Sequence, residues 1–185
     1  AFTVPADVID PAVIQSARLL HVDIPTPAVF AACEAARAAG VPVSLDANAV
    51  YPGLEELLRV TDIFITAREV TASLSGIEDA AESGKHILKE YDLAQVVVTL
   101  GPDGSIAITA DAEIASAGFP VEVVDTTGAG DVYHGAYLYG YLNGWTVEQT
   151  LRFANAAGAM MCTTQVGWAG IPTRAQIEKF LEEKS

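Results

Sequence analysis

The sequence predicts an α/β fold in which a doubly wound, mostly parallel sheet is flanked by helices on both faces. Short apolar runs typical of strands alternate with longer amphipathic runs typical of helices over the whole chain. One strand candidate, QVVVTLG at residues 95–101, is a nearly continuous valine run, as expected of a parallel strand buried on both faces. Turns that carry glycines or carboxylates follow several of these strands, at the edge where such sheets bind ligands.

The first half of the chain predicts strand–helix pairs. Strands are expected at residues 17–23, 41–48 and 62–67, and helices at residues 28–39 and 53–60. Gly40 is expected to end the first of these helices. Residues 69–92 predict one or two further helices, interrupted near Ser75 and Gly76.

The second half begins with the valine-rich strand and a predicted hairpin. Its strands are expected at residues 105–111 and 112–118, and another strand at 121–125. Helices are expected at residues 128–145, 146–164 and 173–184. At 185 residues and 51% hydrophobic content, the chain predicts a single domain over 1–185.

Composition argues against several classes of partner. A net charge of −14 repels nucleic acids and anionic lipid surfaces, so neither is expected as a partner. Cys33 and Cys162 lack any metal-ligand spacing and suit free thiols in a reducing compartment. The chain also lacks an apolar run long enough to cross a membrane, which together with the thiols predicts a cytoplasmic protein.

The Gly-rich stretch DTTGAGD at residues 125–131 is the strongest candidate site. Its glycine spacing differs from the dinucleotide fingerprint G-x-G-x-x-G, and no P-loop pattern occurs in the chain. Gly128, Ala129 and Gly130 can bring backbone amides close to an anion at the start of the next helix. Asp131 would lie beside them, placed to accept a proton. The alternative is a tight corner in which Asp131 only favours the helix N-terminus.

A second candidate turn, TLGPDG at residues 99–104, follows the valine-rich strand. Thr99, Gly101 and Gly104 offer a hydroxyl group and flexible amides suited to nucleotide phosphates. Taken alone, the turn reads as an ordinary β-turn. Beside the anion-binding turn, it favours a phosphoryl-transfer site.

These motifs together resemble a known family. DTTGAGDVYHGAYL is similar to the C-terminal signature of the ribokinase-like (PfkB) carbohydrate kinases. The segments LDAN, TARE, TLGPDG and FANAAGA occur in the family's order, and the resemblance covers essentially the whole chain. It implies a ribokinase-like fold and transfer of the ATP γ-phosphate to a hydroxyl group of a sugar substrate, with Mg²⁺ as cofactor.

The resemblance also implies roles for individual residues. Asp131 would be the catalytic base, and Gly128, Ala129 and Gly130 would stabilise the transferred phosphoryl group. The remaining implied roles fall to three groups: nucleotide contacts at Thr66, Thr99, Gly101, Gly104 and Asn155; water-mediated Mg²⁺ binding at Glu69; and a monovalent cation such as K⁺ at Asp125, Thr127 and Gly167.

The sequence departs from the family pattern in three places. Thr66 replaces the usual Asn of N-x-x-E, which alters a contact to the phosphates or to the waters of the metal. Val50 stands where many 2-keto-3-deoxygluconate kinases have an Arg, which weakens the case for an anionic acceptor. The family's N-terminal strands, with a Gly-Gly pair and a small β lid over the sugar, have no counterpart before Ala1, so this chain alone is expected to be poorly active.

Other functions stay open at this stage. A noncatalytic nucleotide-binding or assembly fragment of such a kinase is the main alternative, and an oxidoreductase is disfavoured by the glycine spacing. Tyr133, Tyr137 and Tyr141 share one helix face, which predicts core packing or a subunit contact and is compatible with a homodimer.

Overall fold

The computed structural model describes residues 4–165 and 167–184, and the chain divides into two compact units. The first unit comprises Ala1–Thr99 with Ile108–Glu113, and the second comprises Leu100–Ala107 with Ile114–Ser185. The prediction of a single domain over 1–185 stays a prediction.

The first unit alternates strands and helices as the sequence predicts. After a 3-10 turn at Ala6–Val8, its elements are α1 (Pro11–Gln15), β1 (Leu20–Val22), α2 (Pro27–Ala38), β2 (Val43–Ala47), α3 (Leu54–Leu58), β3 (Ile63–Ala67), α4 (Arg68–Ser75), α5 (Ala80–Tyr91) and β4 (Gln95–Thr99). Thr26 caps α2, since its hydroxyl oxygen accepts from the Val29 amide over 3.2 Å. Gly40 follows α2 with a φ of 69°, a conformation in which glycine is unstrained.

The second unit is mainly helical. A 3-10 turn at Gly101–Asp103 precedes two strands that lie mainly in this unit, and a second 3-10 turn at Gly167–Gly170 precedes the last helix. The elements are β5 (Gly104–Ile108), β6 (Glu113–Ala117), α6 (Ala129–Leu142), α7 (Val147–Met161) and α8 (Arg174–Glu183). Capping boxes start α7 at Thr146 and α8 at Thr173.

Strands β1, β2, β3 and β4 lie side by side in this order, and β5 lies beside β6. Strands β1 to β4 pair in parallel, with Leu45 opposite Phe64 and Ile65 opposite Val97. These four side chains are fully buried, which explains why β2, β3 and β4 read as apolar runs. The predicted α/β class with a mostly parallel sheet is confirmed.

One predicted strand is wrong, and one helix was not predicted. The strand predicted at residues 121–125 is wrong: the segment has no strand pairing, and the amides of Val124 and Asp125 donate instead to the Cys162 carbonyl oxygen at the end of α7. Val123 and Val124 are 60% and 49% exposed. The helix that was not predicted is α1, which begins at Pro11; its N-cap residue Asp10 accepts from the Ala12 amide through Oδ1.

Candidate active site

The Gly-rich turn forms the N-terminus of α6. Gly128 precedes the first helical residue with a φ of 77°, a left-handed conformation that favours glycine. The Ala129 amide is used within the turn, because it donates to the Thr126 carbonyl oxygen over 3.1 Å. In the part of the chain that the structure describes, no side chain caps α6. Its first turn therefore presents backbone amides and the positive end of the helix dipole to a bound anion.

The carboxylate of Asp131 lies beside this turn. Asp131 is the acidic residue in the first turn of α6, and it is exposed. A Cβ atom added to Gly128 would lie 4.0 Å from Asp131 Oδ2 and 3.5 Å from Met161 Cε. The structure thus brings a carboxylate and the Gly128–Gly130 turn together. A carboxylate in this position can accept a proton from a hydroxyl group bound at the start of α6.

The segment before the turn is fixed by the end of α7. The amides of Val124 and Asp125 donate to the Cys162 carbonyl oxygen over 2.8 and 3.2 Å. Asp125 Oδ1 accepts from the Thr127 amide over 2.9 Å, and this hydrogen bond holds the pKa of Asp125 below its usual value. The described hydrogen bonds join Asp125 to Thr127 but do not join either residue to Gly167, which begins a 3-10 turn with a φ of 55°.

A cavity of about 360 Å³ opens beside Asp131 within the second unit. Helices α6, α7 and α8 form its walls; the lining residues are Asp131, Val132, Gly135, Ala136, Tyr139, Phe153, Ala157, Ile171, Pro172, Arg174 and Ile177. Arg174, the other charged residue of the lining, donates to the Tyr139 hydroxyl over 2.9 Å and to Glu178 over 2.6 Å. Small-molecule sites have volumes of about 300–1,000 Å³, so the cavity falls within that range.

Local backbone geometry explains why glycine occurs at two positions of the second candidate turn. Gly101 and Gly104 both have a positive φ, of 61° and 104°. At Gly104 a Cβ atom would lie only 2.1 Å from the Ser116 carbonyl oxygen and 2.5 Å from the Gly118 amide. The close approach of β5 and β6 therefore requires glycine at this position, whether or not a phosphate binds there.

Asn155 is buried next to this hairpin. Its Oδ1 accepts from the Ser105 hydroxyl over 2.9 Å, and its Nδ2 donates to the carbonyl oxygens of Ser116 and Ala117 over 3.0 and 3.3 Å. The residue is 7% exposed. Both amide hydrogens are therefore used inside the protein, and Asn155 joins α7 to β5 and β6. The nucleotide contact predicted at Asn155 stays a prediction, and these internal hydrogen bonds were not predicted.

The remaining predicted nucleotide residues lie in the first unit, at the carboxyl ends of β3 and β4. Thr66 is buried, and its hydroxyl donates to the Ala47 carbonyl oxygen at the end of β2. The Thr99 hydroxyl donates to the Thr66 carbonyl oxygen over 3.3 Å. The strand ends that carry LDAN, TARE and TLG are thus adjacent. The Thr66 hydroxyl is occupied by a bond between strands.

Glu69 follows these strand ends on the first turn of α4. Its side chain is 77% exposed, and its carboxylate lies 3.8 Å from Arg68 Nε. An exposed carboxylate with so distant an ion-pair partner keeps oxygen atoms free for water molecules around a hard cation. The donor chemistry of Glu69 thus fits the Mg²⁺ role that the resemblance implies.

The chain matches the pfkB family of carbohydrate kinases over residues 6–174. That range includes both candidate turns and every described helix and strand before α8, the last helix, of which it covers only Arg174. The chain belongs to this family. The family assignment and the predicted ribokinase-like fold are therefore confirmed.

Individual relatives agree with this assignment. Ribokinase from Haemophilus influenzae is 31% identical over 169 residues, which are 89% of this chain and 55% of that protein. The 5-dehydro-2-deoxygluconokinase 2 of Bacillus cereus is 31% identical over 172 residues, 84% of this chain and 51% of that protein. An E. coli protein assigned as ribokinase II, solved with ATP and Mg²⁺, is 25% identical with a TM-score of 0.88, covering 97% of this chain and 63% of that one.

The chain spans about half the length of the curated relatives it matches. Across residues 4–165 and 167–184, none of the helices combines the length and apolar character needed to cross a membrane.

Sequence reasoning missed the residues that support the turn from α7. The Cys162 carbonyl oxygen accepts from the amides of Val124 and Asp125, and Gly158 and Met161 lie close to Ala129 and Gly128, yet none of the three was assigned a role from the sequence. The available signal was the run of small residues in FANAAGA, since small residues on a helix allow another backbone to approach closely.

Proposed function

We propose that the protein is an ATP-dependent carbohydrate kinase that transfers the γ-phosphate of ATP to a hydroxyl group of a sugar or sugar derivative. The family supports this class of reaction. The observation that carries the proposal is the Asp131 carboxylate beside the uncapped N-terminus of α6. A proton acceptor and an anion-binding helix end are the two groups that phosphoryl transfer to an alcohol needs at one place.

In this proposal the oxygen of the acceptor hydroxyl group forms a bond to the γ-phosphorus of ATP, and Asp131 accepts the proton of that hydroxyl group. The bond from the γ-phosphorus to the bridging oxygen breaks, and ADP leaves with that electron pair. Charge on the transferred group is stabilised by the Gly128–Gly130 turn at the start of α6. The exposure of Asp131 and the adjoining cavity allow an acceptor to reach the carboxylate.

The nucleotide is assigned to the residues that the resemblance names. Thr99, Gly101 and Gly104 would lie along ATP, and the E. coli relative solved with ATP and Mg²⁺ supports this donor and this metal. Glu69 would hold Mg²⁺ through water, where the ion neutralises phosphate charge. Because the Thr66 hydroxyl and the Asn155 amide are engaged inside the protein, we assign them smaller contributions to nucleotide affinity.

A monovalent cation such as K⁺ is assigned to the Asp125–Thr127 segment. The lowered pKa of Asp125 keeps its side chain anionic, and hydroxyl and carbonyl oxygens of Thr127 are suitable hard ligands. Gly167 would complete the site through its backbone. The cytoplasmic location, the homodimer and the lack of nucleic-acid or membrane partners stay predictions.

We propose that the acceptor is a neutral sugar such as ribose or fructose and not a sugar acid. Relatives are named ribokinase and 5-dehydro-2-deoxygluconokinase, so the family includes both chemistries. Val50 is 49% exposed and stands where, by the family resemblance, many 2-keto-3-deoxygluconate kinases would have an Arg. A valine there gives a carboxylate no cationic partner.

The test is an ADP-release assay on the protein expressed from its complete reading frame. Ribose, fructose, adenosine and 2-keto-3-deoxygluconate are offered with and without Mg²⁺ and K⁺, against a control without acceptor. We expect saturable, Mg²⁺-dependent ADP release with a neutral sugar. ATP binding without acceptor-dependent ADP release would contradict the proposal and favour a noncatalytic nucleotide-binding protein.

A further inference from the structure

One face of α7 supports the turn that carries the proposed base. A Cβ atom added to Gly158 would lie 3.4 Å from the Ala129 carbonyl oxygen and 3.7 Å from Tyr133 Cβ. Three residues further along, Met161 Cε lies 3.5 Å from the position of a Cβ on Gly128. The first turn of α6 therefore rests directly on α7, and Gly158 is the point at which the two backbones approach each other.

The same face of α7 is anchored at Asn155. Asn155 precedes Gly158 by three residues, so both lie on the same side of the helix. Its buried side chain is bonded to Ser105 on β5 and to Ser116 and Ala117 on β6. These bonds fix the position of α7 relative to the β5–β6 hairpin. Because the first turn of α6 packs against α7 at Gly158, the position of α7 also determines where that turn lies.

We propose that Gly158 is a positioning residue for the reaction: its missing side chain sets the distance between α7 and the Gly128–Asp131 turn. This inference rests on the proposed function. Gly158 has no role toward substrate itself. It acts by fixing where the Asp131 carboxylate and the amides at the start of α6 lie relative to the acceptor and the transferred phosphoryl group.

The proposal makes an unusual prediction for a substitution in a helix. Alanine favours helices more than glycine does, so Gly158→Ala should leave the stability unchanged or raise it. The added Cβ meets the Ala129 carbonyl oxygen at 3.4 Å, which is an ordinary contact distance that leaves no spare room, and the branched side chain of Gly158→Val brings further atoms to the same place. Turnover should therefore stay close to normal with alanine and fall with valine, while alanine leaves the stability unchanged or raises it.

Gly140 provides the matched control at the other end of the α6–α7 contact. A Cβ atom there would lie 2.7 Å from Thr150 Oγ1 and 3.0 Å from Trp145 Cε3, more than a turn of helix away from the base. Gly140→Ala should lower the melting temperature through overpacking. Because Ala129 and Asp131 are not touched, its kcat per folded molecule should stay unchanged.

The experiment measures kcat, the KM for ATP and the melting temperature of the full-length protein and of these variants. We expect Gly158→Val to lower kcat on the order of tenfold with little change in KM, Gly158→Ala to keep it close to normal, and Gly140→Ala to change only the melting temperature. A kcat within about twofold of the unsubstituted protein for Gly158→Val would overturn the proposal. Equal losses of kcat at Gly140 and Gly158 would do the same.

Asp131→Asn, measured alongside, separates this inference from the proposed function. If Asp131→Asn is inactive and Gly158→Val is fully active, only the positioning role fails. If Asp131→Asn retains full turnover, the proposed base is wrong and the positioning role fails with it.

Discussion

Replacing Asn155 by alanine distinguishes a structural role from a nucleotide contact. The substitution removes one hydrogen bond from the Ser105 hydroxyl and two to the β6 backbone. Ser105 then loses its Asn155 partner at a buried position, and the carbonyl oxygens of Ser116 and Ala117 lose theirs at partly buried ones. At about 1 kcal/mol for each bond, the loss is about 2–4 kcal/mol of unfolding free energy. For a chain of this size each kcal/mol lowers the melting temperature by about 2–4 °C, so we expect a decrease of roughly 5–15 °C.

The assay is urea unfolding together with ATP binding measured well below the transition. Asn143→Ala is the control, because Asn143 is an exposed residue at the end of α6 whose side chain donates one hydrogen bond, to the Tyr139 carbonyl oxygen. We expect that control to lose less than about 1 kcal/mol. An Asn155→Ala variant that keeps its stability but loses ATP affinity would refute this reasoning and restore the nucleotide contact predicted from sequence.

Two further predictions concern stability. Gly104→Ala should unfold the second unit or lower its stability severely, because the added Cβ meets the β6 backbone at 2.1 Å. Gly40 also has a positive φ but open space around it, so Gly40→Ala should lower the free energy of unfolding by only about 1 kcal/mol. Equal melting temperatures of the two variants would contradict the steric argument. Partial desolvation lowers the pKa of the His21 imidazole from its usual 6.5, although the nearby Asp23 opposes this shift and the residue is partly exposed. The unfolded chain therefore binds the proton more readily, and stability should be full above about pH 6.5 and fall below it. His21→Gln should flatten that acid slope in urea unfolding at about pH 7.5 and 5.5, and an unchanged slope would show that another group titrates.

The fold was predictable because its signals are local. The valine run of β4, the N-cap Thr26 of α2 and Gly40 beyond its end specify their elements through burial, capping and backbone freedom within a few residues. The strand predicted at 121–125 failed for a non-local reason. Its valines look like a strand, but their amides bond to Cys162, almost forty residues further along the chain, and a pattern within the segment holds no information about that partner.

The candidate site was predictable only in part. Asp131 was predictable because the glycines of the turn, the acidic residue and the start of α6 follow one another directly in the sequence. In the structure the carboxylate lies beside the turn. The supporting contacts of Asn155 and Gly158 depend on how α7 packs against α6 and the hairpin. Such contacts join residues distant in sequence, so the presence of a small residue in a helix does not indicate which other segment packs against it.

The central claim, that Asp131 is the base of a phosphoryl transfer to a sugar, is tested most directly by Asp131→Asn in the full-length protein. Turnover with the best sugar and the Kd for ATP are measured for this variant and for Asp111→Asn, an exposed aspartate between β5 and β6 that serves as the matched control. We predict that Asp131→Asn lowers kcat by about 10²–10⁴-fold while the Kd for ATP stays nearly unchanged, and that Asp111→Asn changes neither. Near-normal turnover of Asp131→Asn would contradict the account.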